Sequence, residues 1–124
     1  MKGYKAAIMA VIMFIATHVY AVHIDDNTAL QLAPTGDVDA QAQLANSYLV
    51  GTDRIQINYQ QAKYWAEKAY AQGNHRAELV LGILYLNGYA VQQDYAKARQ
   101  LFEQANQAGE MKAARYLGLI YLNG

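Results

Sequence analysis

The chain has 124 residues, with ten Lys or Arg, ten Asp or Glu, no cysteine, one proline and 54% hydrophobic residues. That length holds one small domain at most, and 16% charged residues are too few for a charge-solvated disordered chain. Without cysteine there is no disulfide scaffold, thiolate metal site or cysteine nucleophile. Zero net charge gives no electrostatic attraction to nucleic acid or to an anionic membrane.

In chain order, Lys2 and Lys5 precede an apolar run from Ala6 to Ala16, and Val19-Tyr20-Ala21 supplies small or β-branched residues before a cut. This order of basic, apolar and small-residue segments predicts a secretory signal peptide over residues 1–21, cleaved after Ala21. The run is shorter than the roughly 20 apolar residues that span a bilayer; a retained anchor is the alternative. Cleavage removes Lys2 and Lys5 and leaves two more acidic than basic groups. The expected location is the bacterial periplasm or the exterior, with no membrane contact after cleavage. Residues 22–36 contain Asp25-Asp26-Asn27 and Pro34-Thr35-Gly36, and read as a polar lead-in with a turn. Within it, Leu30 and Leu32 are expected to tuck against the first helices.

From there the chain repeats. Tyr48-Leu49-Val50-Gly51, Tyr85-Leu86-Asn87-Gly88 and Tyr121-Leu122-Asn123-Gly124 recur at spacings of 37 and then 36 residues. Eight residues before each Tyr stand Ala40, Ala77 and Ala113. Four before stand Leu44, Leu81 and Leu117, and three before stand Ala45, Gly82 and Gly118. The second halves also match: Tyr59 with Tyr95, Ala62 with Ala98, Trp65 with Leu101, Ala69 with Ala105, Gly73 with Gly109. A fixed period of this size means stacked supersecondary units. The boundaries are 37–73 for repeat one, 74–109 for repeat two and 110–124 for a partial repeat three.

Each unit reads as two helices. The first carries one apolar stripe at 3.6-residue spacing, including Tyr48, Tyr85 and Tyr121 as core residues, with small residues that admit a close neighbour. The second answers with Ala62, Trp65, Ala66 and Ala69, or Ala98, Leu101, Phe102 and Ala105. Asp37, Asn58, Asn74 and Asp94 stand at N-cap positions, and Gln61 completes a box-like pattern with Asn58. Gly73 and Gly109 suit left-handed C-terminal caps. Helices are therefore predicted near 38–50, 59–72, 75–87, 95–108 and 111–123. Lys63 with Glu67 and Arg99 with Glu103 read as a solvated outer face.

The pattern Ala77, Leu81-Gly82, Tyr85-Leu86-Asn87-Gly88, Val91, Asp94-Tyr95, Ala98, Phe102, Ala105 and Gly109 resembles the Sel-one-like repeat (SLR) family. That family is similar to the tetratricopeptide arrays but has a longer unit. Repeat one departs, with Ala45 for Gly82, Ile55 for Val91 and Asn58 for Asp94. The resemblance implies an all-α fold: an α-solenoid of antiparallel helix pairs that scaffolds protein complexes, without catalytic residues to carry over. Here it would comprise two full repeats plus the first helix of a third, preceded by the signal segment.

Two expectations concern the ends. On the first helix of each unit, the face opposite the core stripe carries Ala42, Asn46 and Leu49, then Leu79, Ile83 and Leu86, then Arg115, Leu119 and Leu122. Asn46 suits helix one as a starting cap turned to water. At the other end, Ala113, Leu117 and Tyr121 lack their cognate second helix. Truncation of a longer array, self-association and docking of another protein's helix are the three explanations.

No chemistry-bearing motif stands out. His18, His23 and His75 have no companions at metal-ligand spacing and read as isolated, solvated residues, so neither a metal nor a cofactor is expected. Asp25-Asp26 and Asp37 with Asp39 read as capping and solvation, and Ser47, the sole serine, has no nucleophile motif around it. The expected function is that of an exported interaction scaffold or adaptor, not an enzyme, whose partner is a protein or peptide. The partner would occupy the solenoid groove, through Gln43, Ser47, Asn87, Tyr116 and Asn123 with Tyr89 in the adjoining loop, or the open C-terminal end. An envelope enzyme acting on cell-wall or β-lactam-like substrates, an activity the resemblance implies for cysteine-rich exported relatives, is the alternative.

Overall fold

The computed structural model describes residues 23–123. The expected signal segment and its cleavage after Ala21 lie outside the described residues. Among those described there are six α-helices and no strand: α1 (Asp26–Leu32), α2 (Val38–Val50), α3 (Tyr59–Ala71), α4 (His75–Asn87), α5 (Tyr95–Gln107) and α6 (Met111–Asn123). A 3-10 turn, Ala33–Thr35, joins α1 to α2. Each helix packs against the next in sequence, and α2 also touches α4, which is the neighbour pattern of a stacked helical repeat.

Side-chain caps fix the starts. Asp37 accepts from the Ala40 N–H at 2.8 Å, Asn58 from Gln61 at 3.1 Å, Asn74 from Ala77 at 3.1 Å and Asp94 from Lys97 at 2.9 Å. The reciprocal half of the Asn58–Gln61 box does not form, because the Asn58 N–H already donates to the Tyr48 carbonyl at 2.8 Å. Asp94 repeats this arrangement on the Tyr85 carbonyl at 2.9 Å, so each second helix is tied by its N-cap residue to the end of the preceding one. Gly73 and Gly109 adopt φ of +82° and +96°, the left-handed C-terminal geometry.

Small residues set how closely the two helices of a unit approach. A Cβ on Gly82 would sit 2.6 Å from the Phe102 ring, which therefore fills the notch that the missing side chain leaves. In unit one the corresponding pair is Ala45 and Ala66, both buried in one apolar cluster with Leu49, Ala62, Val80 and Leu81. Leu81 and Leu84 of α4 carry that cluster to Leu101 of α5, and Phe102, Ala105, Ala113 and Leu117 form the next. Tyr48 and Tyr85 pack half-buried against these clusters. Tyr121 does not: it is 62% exposed, and its hydroxyl donates to Glu103 Oε1 at 3.3 Å.

Three expectations are corrected. The lead-in 22–36 contains α1, whose N-cap Asp25 accepts from the Thr28 N–H at 2.7 Å. Its contact residues are Ala29 and Ala33, buried against Ala40, Leu44 and Ile55, while Leu30 and Leu32 stay largely exposed. Alanines at i and i+4 let the short helix sit close to α2, where leucines would hold it off. Second, α2 does not turn the face of Ala42 and Leu49 to water. Ala42 is buried with Ala69 and Ala77, and Leu49 lies in the main core, so α1 supplies the starting cap on the other side. Third, Ala113 and Leu117 are already buried against α5, and the open face of α6 lies elsewhere on that helix.

Candidate functional site

Residues from three helices meet in one depression of about 340 Å³: Asn46 of α2, Arg76, Leu79 and Val80 of α4, and Met111 and Lys112 of α6 with Gly109 and Glu110 before it. The first helices of all three units line it, since the repeat brings equivalent positions side by side. Arg76 and Lys112 are one such pair, one period apart, and both are cationic. The Arg76 guanidinium donates to Gln43 Oε1 at 3.0 Å, which fixes it across the α2–α4 seam. Buried Gln41 is likewise satisfied, donating to the Ala33 carbonyl at 3.2 Å and accepting from Gln72 at 2.7 Å. Of these bonds, that between Arg76 and Gln43 involves a residue of the depression and ties α4 to α2 there.

The six residues singled out from sequence are not gathered at one place. Gln43 lies under the depression as the partner of Arg76, itself buried. Ser47 is withdrawn from any groove: its hydroxyl donates to Asp26 Oδ1 at 2.7 Å, beneath α1. Tyr116 stacks on Phe102 with ring centroids 4.9 Å apart, inside the α5–α6 seam. Tyr89 stacks on Tyr59 at 4.1 Å, joining the loop after α4 to the start of α3, and burial beside Tyr89 raises the Tyr59 phenol above its ordinary pKa. Asn87 and Asn123 do share a surface. They line a depression of about 480 Å³ with Leu86, Gln93, Tyr95, Leu119 and Ile120, although the Asn87 amide also donates to the Ile83 carbonyl at 2.9 Å.

Sequence reasoning missed Asn46, Arg76 and Lys112. The signal was present in the register, where Asp39, Arg76 and Lys112 occupy one repeat position and vary in charge while the core positions do not.

The remaining polar groups serve structure. Asp26 accepts from Ser47 and, through Oδ2, from Thr52 at 2.6 Å, and these two bonds lower its carboxyl pKa below the ordinary aspartate value, that from Thr52 more than that from Ser47. His75 is not isolated, because its Nδ1 lies 3.1 Å from Glu78 Oε2. The Lys63–Glu67 and Arg99–Glu103 pairs are 4.0 and 3.8 Å apart on solvated faces. No group of three or more His, Cys, Asp or Glu able to hold a metal occurs among the described residues. Nor is any described helix long and apolar enough to cross a membrane.

The Sel1 repeat pattern matches residues 38–74, 75–110 and 112–124, the same units the helices form. The chain belongs to the Sel1 repeat family. A Sel1 repeat protein of Oxalobacter formigenes, known from its crystal structure, superposes with a TM-score of 0.65 and 33% identity over 74% of this chain and 26% of its own. A protective antigen of uropathogenic Escherichia coli strains, displaying an SLR fold, gives 0.67 and 34% over 82% of this chain and 22% of its own. This Sel1 repeat chain thus spans about a quarter of the length of those two structures. No curated protein matches it. Sel1 repeat proteins are in general scaffolds for protein interaction.

Proposed function

We propose that this Sel1 repeat protein is an exported adaptor that holds a peptide segment of another protein in the depression across α2, α4 and α6. The observation that carries this reading is the alignment of Asn46, Arg76 and Lys112 over an apolar floor of Leu79 and Val80. Two cations and one amide, against the single carboxylate of Glu110, suit a segment that offers carboxylates or backbone carbonyls beside an apolar side chain. The Lys2–Ala21 leader supports export, with a mature N-terminus at Val22.

Selection of displayed peptides against the full chain tests the groove. Selected peptides should carry an acidic residue, and Arg76→Glu or Asn46→Arg should weaken their binding at least tenfold, whereas Lys63→Ala on the outer face should not. Peptides indifferent to both groove substitutions would refute the assignment. N-terminal sequencing of the exported protein tests the leader, since an intact Met1 there would contradict cleavage.

A further inference from the structure

The loop after α4 holds one side chain in place with strained backbone. Gly88 and Ala90 both take left-handed conformations, with φ of +70° and +60°, and Ala90 is the one positive-φ residue other than glycine among the described residues. That conformation is unfavourable for a residue with a Cβ. Between the two stands Tyr89, whose ring lies on that of Tyr59 with centroids 4.1 Å apart and planes 8° from parallel. The repeat does not require this tyrosine. Its counterpart after Gly51 is Thr52, whose hydroxyl serves Asp26. The stack is therefore a local addition, and it joins the loop of unit two to the first residue of α3 in unit one.

The contact has the geometry that a coupling of two phenols needs. Near-parallel rings at this separation touch across their faces. Burial, and after it the neighbouring Tyr89 hydroxyl, raises the Tyr59 phenol above its ordinary pKa. The two oxygens thus lie at one edge of the stack, and the Cε carbons beside them face each other. The Tyr59 phenol is also neutral near pH 7, so it sheds its proton together with its electron. Tyr89 is 37% exposed and Tyr59 half-buried, which leaves the pair within reach of an oxidant in solution. Among the described residues no other two tyrosines stack: Tyr64 meets Trp65 edge-on, and Tyr116 lies on Phe102. The chain has no cysteine, so no disulfide can link its repeats.

We propose that Tyr59 and Tyr89 are an oxidative modification site, at which a peroxide-consuming haem peroxidase joins them as an intramolecular dityrosine. Each phenol gives up one electron and one proton, and the two phenoxyl radicals form a single Cε–Cε bond. The hydrogens on those two carbons then return to the phenolic oxygens by tautomerisation. One hydrogen peroxide takes up the two electrons and two protons and leaves as two waters. The link fastens the loop after α4 to the start of α3, across the seam between the two full repeats. Because the rings are already held together, coupling within the chain outruns coupling between chains. The site shares no residue with the depression of Asn46, Arg76 and Lys112 and does not depend on the groove reading.

Treatment of the full chain with a haem peroxidase and limiting hydrogen peroxide, in dilute solution, tests the assignment. The expected product is a monomer lighter by two hydrogens that shows dityrosine fluorescence. Its tryptic digest should link the Ile55–Lys63 peptide to the Ala77–Lys97 peptide, with fragment masses placing the bond at Tyr89 rather than Tyr85 or Tyr95. Tyr59→Phe and Tyr89→Phe keep both rings and should each reduce the monomer's fluorescence at least tenfold. Tyr64→Phe and Tyr70→Phe, at exposed positions of α3, should not. Ala90→Gly accepts the same φ and should preserve coupling. Ala90→Pro, confined to φ of about −65°, should abolish it while circular dichroism shows the helices unchanged. A monomer without dityrosine overturns the inference. So does fluorescence that survives Tyr59→Phe, that is found only in covalent dimers, or that is indifferent to Ala90→Pro.

Discussion

At the scale of single residues, Asp26 has the widest reach. Its two carboxylate oxygens take one hydroxyl from α2 and one from the loop beyond it, Ser47 and Thr52, so a single side chain fastens α1 over the first repeat. Those bonds favour the charged form and lower its folded pKa. A lowered folded pKa means the stabilisation is complete above the unfolded aspartate value of about 3.9 and is lost as pH falls through the lower folded value. Asp26→Asn should lower stability by about 1 kcal/mol at neutral pH, discounted for partial exposure, from loss of charge-assisted hydrogen bonding. It should also flatten the acid limb of stability below about pH 4, since the substituted side chain no longer titrates. Urea denaturation at neutral pH and at about pH 3 tests both; an unchanged acid limb in the variant would locate the acid sensitivity elsewhere.

Between elements, the approach of paired helices turns on one volume match, and the same substitution made one repeat apart should act with opposite sign. Gly82→Ala drives a methyl into the Phe102 ring and should cost about 1–3 kcal/mol by overpacking. Gly118→Ala meets nothing and should stabilise α6 by about 0.5–1 kcal/mol through helix propensity. Phe102→Ala alone should cost about 3–5 kcal/mol, yet in that background Gly82→Ala should become neutral or favourable. Thermal melts of the four variants form the cycle, and additivity at Gly82 and Phe102 would show that the ring is not what the glycine accommodates. This level was also the one most legible from sequence. The five repeat helices agree with their predicted bounds to within a residue, because four starts have an Asn or Asp cap and all five have a copy to align with. Helix α1 has the Asp25 cap but no copy. Its alanines at 29 and 33 are too few to read as a stripe. That omission spoiled the site as well: a helical wheel puts Ser47 on an open face, and only the arrival of α1 shows it to be occupied. Tyr116 failed for a related reason, since stacking on Phe102 depends on how two helices cross rather than on either sequence alone.

For the molecule as a whole, stability is expected to be graded along the stack. In a linear array each unit is held by its neighbours, and an end unit has one fewer. Helix α4 is the middle: Val80, Leu81 and Leu84 are buried, and it touches α2, α3 and α5. Helix α6 rests chiefly on α5 through Ala113, Leu117 and the Tyr116–Phe102 stack, with Met111 and Leu122 88% and 83% exposed. Helix α1 has seven residues and is fastened mainly by Ala29, Ala33 and Asp26. Amide hydrogen exchange should therefore be slowest in α4 and α5, close to the global limit, and faster by local opening in α1 and α6. A groove peptide should protect α4 and the start of α6 together, through Arg76 and Lys112. Uniform protection across all six helices would mean that the chain folds as one cooperative block rather than as stacked units.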